Sequence, residues 1–246
     1  MHIALMANIN GNFPAFAAAL SKIEELKEEG YRIEKFYILG NVVGIFPYAR
    51  EIFDTLDDLI KKNDVRVIRG RYDQIIAEAE SKRDIDTIGE PEYVKRALKH
   101  AWESLDHDGR EFIRGLPIYL VDKIGGNEIF GVYGSPLDPI GGEVLPEQPQ
   151  SYYEALMRPM RRYELLLIGS SKLPLEAFTR YGKVISPGSL GLVPSKGQNS
   201  TFAILNTEKL DAKFIEVGYE RKIIEEKIKR EGLPGELVKL LYHGRL

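Results

Sequence analysis

Residues able to do chemistry gather in five short segments, each with a glycine in or beside it. They are Asn8-Ile9-Asn10-Gly11-Asn12, Gly40-Asn41, Gly70-Arg71-Tyr72-Asp73, Tyr133-Gly134-Ser135-Pro136 and Gly169-Ser170-Ser171-Lys172. Glycine lets backbone turn sharply and approach a ligand closely. Arg71, Lys172 and Asp73 together carry a net charge of +1. That balance suits a phosphate or carboxylate, with Tyr133, Ser170 and Ser171 as hydrogen-bond donors. Plainer roles compete at every position. Asn8, Asn10 and Asn41 are turn formers that tolerate unusual φ, and Arg71 and Lys172 could each simply pair with Asp73. Ser170-Ser171-Lys172 holds the ingredients of a Ser–Lys nucleophile, but such neighbours are common and no oxyanion hole is legible. Ser189, in Pro187-Gly188-Ser189-Leu190-Gly191, reads as a turn residue.

The elements that must position these segments follow from hydrophobic periodicity. Apolar runs at 3–6, 36–39 and 65–68 read as buried strands, each ending at one of the polar segments. Pro14 opens a helix to about Glu29, with Phe16, Leu20, Ile23 and Leu26 at helical spacing and Gly30 as its stop. A second helix places Ile52, Leu56, Leu59 and Ile60 on one face. The β-α-β-α-β order predicts parallel strands with right-handed crossovers. One long helix is expected over 92–116, with Trp102 as a core anchor and His100 and His107 as solvated surface groups. Beyond Pro117, strands at 118–123, 127–132, 164–168, 175–180, 183–186, 201–206 and 212–217 predict antiparallel or mixed pairing. A helix is expected around Tyr152, Tyr153, Met157 and Met160, and two more at 219–231 and 235–243. The architecture expected is one domain over 1–246, α/β, with two packed sheets flanked by helices.

Composition removes several classes of function. The chain has no cysteine, so disulfides, zinc–thiolate sites and thiol nucleophiles are excluded. A net charge of −3 gives no overall basic field to draw it to nucleic acid or anionic lipid. No apolar stretch approaches the roughly 20 residues that span a bilayer. Met1 leads almost directly into a strand with no signal-like segment, so a cytoplasmic protein is expected.

The collinear segments resemble the calcineurin-like metallophosphoesterases, especially the small prokaryotic phosphodiesterase branch. That family's strand-end motifs run D-x-H-G-N, G-D, G-N-H-D, H-G-S-P-x-D-P, G-H-T-H and N-P-G-S. The matching segments are 8–12, 40–41, 70–73, 133–139, 169–172 and 186–189, and the tail from Tyr219 through Gly232-Leu233-Pro234 is similar to the family's C-terminal helices. The resemblance implies a four-layer α/β/β/α sandwich of two mixed β-sheets flanked by helices. It also implies a cleft where the family's Asp, His and Asn side chains hold two metal ions. Asn8, Asn10, Asn41, Arg71, Tyr133, Ser170 and Lys172 stand at those ligand positions, and Tyr72 stands where the family has an active-site His. Only Asp73 of that constellation is kept. Amides replace carboxylates, and Arg and Lys have no lone pair to donate. His2, His100, His107 and His243 lie away from these segments. The expectation is a non-catalytic homologue without metal or other cofactor, its former active-site cleft binding a phosphate-bearing or other anionic ligand. Two alternatives stand beside it: a phosphoesterase with a non-standard or metal-free site, for which Asp73 is the one candidate base, and an interaction protein with a filled cleft. The fold class often forms dimers, so a homodimer is an open expectation.

Overall fold

The structure is a computed structural model, and it describes residues 1–193 and 199–244. Strand β1 (His2–Met6) shows how the layers arise. Side chains alternate across a strand, so neighbours serve opposite faces. Ala4 and Met6 join one core cluster and Ile3 and Leu5 another. In β2 (Ile33–Leu39) the same division separates Phe36 and Ile38 from Tyr37 and Leu39. Both faces are buried, which is why these strands read as continuous apolar runs.

The first sheet has the order β10-β9-β1-β2-β3, with β3 at Asp64–Ile68, β9 at Ser200–Asn206 and β10 at Asp211–Val217. β1, β2 and β3 are parallel, whereas β9 runs antiparallel to β1 and to β10. The second sheet has the order β4-β5-β6-β8-β7, formed by Tyr119–Ile124, Asn127–Val132, Leu165–Ile168, Pro174–Thr179 (β7) and Gly182–Pro187 (β8). β6 pairs in parallel with β5 and β8, while the two hairpins at the edges are antiparallel. Both sheets are therefore mixed.

Between the sheets lies an apolar layer that includes Leu5, Leu39, Ile129, Leu165 and Leu167. The outer face of the first sheet packs against α1 (Phe13–Glu28), α2 (Ala49–Lys62), α3 (Arg71–Glu78), α4 (Glu92–Ser104), α5 (His107–Gly115) and the C-terminal α7 (Arg221–Arg230) and α8 (Glu236–His243). The outer face of the second is covered by α6 (Gln150–Met157), through Tyr153 and Met157. The result is the four-layer α/β/β/α sandwich. No helix among the described residues is long and apolar enough to cross a membrane.

Two expectations are corrected. The single helix over 92–116 is two helices, because Asp106 stands between them and its side chain accepts from the Gly109 N–H at 2.9 Å, capping α5. Nor is His100 a solvated group. Its side chain is only 20% exposed and lies 3.9 Å from Glu231. Burial holds its pKa below the ordinary value, against the pull of that carboxylate. His107 is exposed, as expected.

Candidate functional site

The polar segments meet because parallel strands end level. Met6 pairs with Ile38 and Leu39 with Ile68, so the loops after β1, β2 and β3 leave the sheet side by side. In the second sheet Val132 pairs with Ile168, which sets Tyr133 beside Gly169 and Ser170. The Ser170 N–H donates to the Tyr133 carbonyl at 2.6 Å. Asn8 ties the two sheets together, its Nδ2 donating to the Gly169 carbonyl at 2.6 Å.

Asn8, Asn10 and Asn41 have φ of +53°, +52° and +51°. This left-handed backbone excludes most side chains and favours Asn among the non-glycine residues. The turn reading of the three is therefore correct, and it coexists with a place in the cleft.

Their side chains form a connected network with Tyr133. Asn41 Nδ2 donates to Tyr133 Oη at 2.7 Å and to Asn8 Oδ1 at 3.3 Å, and Tyr133 Oη donates to Asn8 Oδ1 at 3.3 Å. Main-chain groups fix the amide orientations. Asn41 Oδ1 accepts the Tyr72 N–H at 3.0 Å, so its NH2 must face Tyr133, and the Gly169 carbonyl holds the Asn8 NH2. Asn10 Nδ2 donates to the Asn8 carbonyl at 3.1 Å, leaving Asn10 Oδ1 buried without a partner. Burial pushes the Tyr133 phenol well above its ordinary pKa, so it stays protonated and able to donate. Burial and the nearby Glu90 carboxylate push Tyr72 up to about 12. A Tyr133→Phe variant is expected to lose about 1–2 kcal/mol, the worth of a buried hydrogen-bonded hydroxyl, as read by urea unfolding.

Above this floor is a cavity of about 230 Å³. Asn8, Asn10, Asn41, Tyr72, Tyr133 and Ser170 line its depth, and Arg71 and Lys172 stand at its rim, each with 53% of its side chain exposed. Two of the sequence-predicted residues do not line it. Ser171 is buried, and its hydroxyl donates to the Leu173 carbonyl at 2.7 Å. Asp73 is fully buried behind the loops, its carboxylate accepting the N–H groups of Gly70, Val43 and Val42 at 2.9, 3.1 and 3.2 Å. Asn12 also turns away, capping α1 through Ala15 and donating to the Gly191 carbonyl.

The pairing of Arg71 and Lys172 with Asp73 does not occur, because Asp73 is enclosed by main-chain donors. Arg71 instead donates through Nε and Nη2 to Glu90 Oε1 at 2.9 and 2.6 Å. Lys172 lies 3.7 Å from Glu143, a loose and exposed pair. Glu90 and Glu143 both line the cleft, and sequence reasoning missed both. Glu90 lies 19 positions beyond Arg71, and no local spacing marks it out from other loop carboxylates. The expected +1 is thus offset: two cations and two anions give the lining no net charge among the described residues. No hydrogen bond joins Lys172 to Ser170 or Ser171. The Ser170 hydroxyl accepts from the Val144 N–H at 3.0 Å, so the geometry of a Ser–Lys nucleophile is absent. Ser189 sits in a turn, bonded in both directions to Leu192.

These residues do not fit the two divalent cations that the resemblance implies. Such a pair needs bridging and flanking carboxylates to offset its own repulsion. Here the amide NH2 groups of Asn8 and Asn41 are fixed facing protein acceptors, and two cationic side chains flank the cavity. Among the described residues no cluster of three or more His, Cys, Asp or Glu could hold a metal ion.

The fold is shared with a solved metallophosphoesterase. A metallophosphoesterase from Sphaerobacter thermophilus superposes with a TM-score of 0.78 over 99% of this chain and all of that one, at 20% identity. No family model matches the chain. Hypothetical protein PH1004 from Pyrococcus horikoshii OT3 is 57% identical, with a TM-score of 0.96, covering 99% of this chain and 98% of that one. This chain belongs to the same family as that protein. It is also 24% identical to the uncharacterized protein MJ0912 of Methanocaldococcus jannaschii, over 99% of this chain and 98% of that one.

Proposed function

We propose that this protein is a non-catalytic relative of the metallophosphoesterases whose former active-site cleft binds a small anionic ligand, of which a phosphate-bearing compound is the reference case, without turning it over. One observation carries the reading: at the metal-ligand positions, Asn8, Asn41 and Tyr133 bond to one another in orientations set by the Tyr72 N–H and the Gly169 carbonyl. Held this way, the amide hydrogens face protein acceptors and the amide oxygens accept from protein donors, so neither side chain offers a free anionic lone pair to a cation. For the ligand, the support is the rim. Lys172 is loosely paired, and only two of the five guanidinium N–H groups of Arg71 are engaged by Glu90. The reading of a metal-free hydrolase has little behind it, since its one candidate base, Asp73, does not reach the cavity. A filled cleft is disfavoured by the cavity itself.

Protein purified without added metal is expected to contain no stoichiometric Mn, Fe, Ni or Zn by elemental analysis. It should fail to hydrolyse aryl phosphate mono- or diesters when Mn²⁺ is supplied. Metal-dependent turnover by pure protein, lost with an Asn41→Ala change, would sink the proposal.

A further inference from the structure

The strongest contact at the mouth of the cleft is one the protein makes with itself. Glu90, in the segment leading into α4, places a carboxylate oxygen within 2.6 and 2.9 Å of two guanidinium nitrogens of Arg71. The Glu90 side chain is only 13% exposed, although Arg71 is 53% exposed. A carboxylate this far withdrawn from water keeps more of its field than a surface group does. It lies against the cavity wall, and it engages the donors that would otherwise take an incoming oxyanion.

We infer that Glu90 is an internal competitor for Arg71 and makes the cleft prefer singly charged oxyanions, such as phosphodiesters, over doubly charged phosphate monoesters. The inference rests on the anion-binding reading above and adds the ligand's charge class to it. With the described lining neutral, a bound monoanion leaves the cleft with one uncompensated charge and a dianion leaves it with two. The Glu90 field acts on each charge of the ligand, so it penalises the dianion twice. Neutralising Glu90 relieves both effects, the competition and the repulsion.

The test compares methyl phosphate with dimethyl phosphate at pH 8, where the first is doubly and the second singly charged, by NMR titration of wild type and Glu90→Gln. Glutamine keeps the size and an acceptor oxygen while removing the charge. Wild type should bind the diester more tightly. Glu90→Gln should gain about threefold for the diester and about tenfold for the monoester, the same screened field acting on one charge and on two. Glu90→Ala should change the preference in the same direction, which guards against an artefact of one variant. An unchanged monoester-to-diester ratio in both variants would overturn the inference while leaving the anion site standing. If neither ligand binds wild type or variant, the anion-binding reading itself fails, and this inference with it. Monoester binding that emerges only in the variants is the strongest supporting outcome.

Discussion

Gly169→Ala is expected to destabilise the protein by about 3–5 kcal/mol, a large effect for a single methyl group. A Cβ at Gly169 would lie 1.9 Å from the Leu39 carbonyl oxygen and 3.0 Å from the Leu39 carbonyl carbon and the Tyr133 ring. Leu39 is the last residue of β2 and is held in register against Ile68, so its carbonyl cannot swing away without opening that ladder. Gly169 is equally tied, its N–H to Val132 and its carbonyl to Asn8. The strain must therefore be met by parting the two sheets where the cleft is formed. Urea unfolding measures the loss. Gly89→Ala, where an added Cβ meets nothing within 4 Å, is the control and should lie within roughly 0.5 kcal/mol of wild type. A similarly small effect at Gly169 would mean that the sheet ends are not in rigid contact.

Asp73→Ala should cost a comparable 3–5 kcal/mol or so, for an electrostatic rather than a steric reason. The N–H groups of Gly70, Val42 and Val43 all point at this one carboxylate, and its removal strands them in the interior. The same residue gives a pH signature. Burial raises its pKa from 3.8 to about 6, in spite of the main-chain donors that pull it down. The sign follows from proton binding. Between about pH 4 and pH 6 the unfolded chain has released the Asp73 proton while the folded protein still holds it. Over that window stability falls as pH rises, by roughly 2–3 kcal/mol, and changes no further above it on account of this group. Asp73→Asn keeps one acceptor oxygen and should abolish that slope. A slope that persists in the Asn variant would assign it to other groups.

These two residues mark the division between what was legible in the chain and what was not. The five glycine-bearing segments and their order could be read directly, because strands buried on both faces appear as apolar runs and turns declare themselves through Gly and Asn. The same local signals predicted the turn role of the asparagines, and all three occupy left-handed backbone. The scarcity of metal-ligating residue types in these segments was also legible, since it depends on residue identity alone, and among the described residues no cluster of three or more His, Cys, Asp or Glu could hold a metal ion.

The partners were decided only by tertiary structure. Asp73 follows Arg71 by two positions, yet it turns inward to three main-chain donors while Arg71 reaches out to Glu90. Asn8 and Tyr133 are 125 positions apart and share a hydrogen bond because two different sheets end at the same level. Hydrophobic periodicity sets which face of an element is buried, and it acts over a few residues. Which charge meets which depends on distances across the assembled molecule, and Coulomb interactions and hydrogen bonds respond to those distances rather than to sequence separation. Fold and chemical type were therefore written locally, whereas the neutral balance of the cleft emerged only when its loops were brought together.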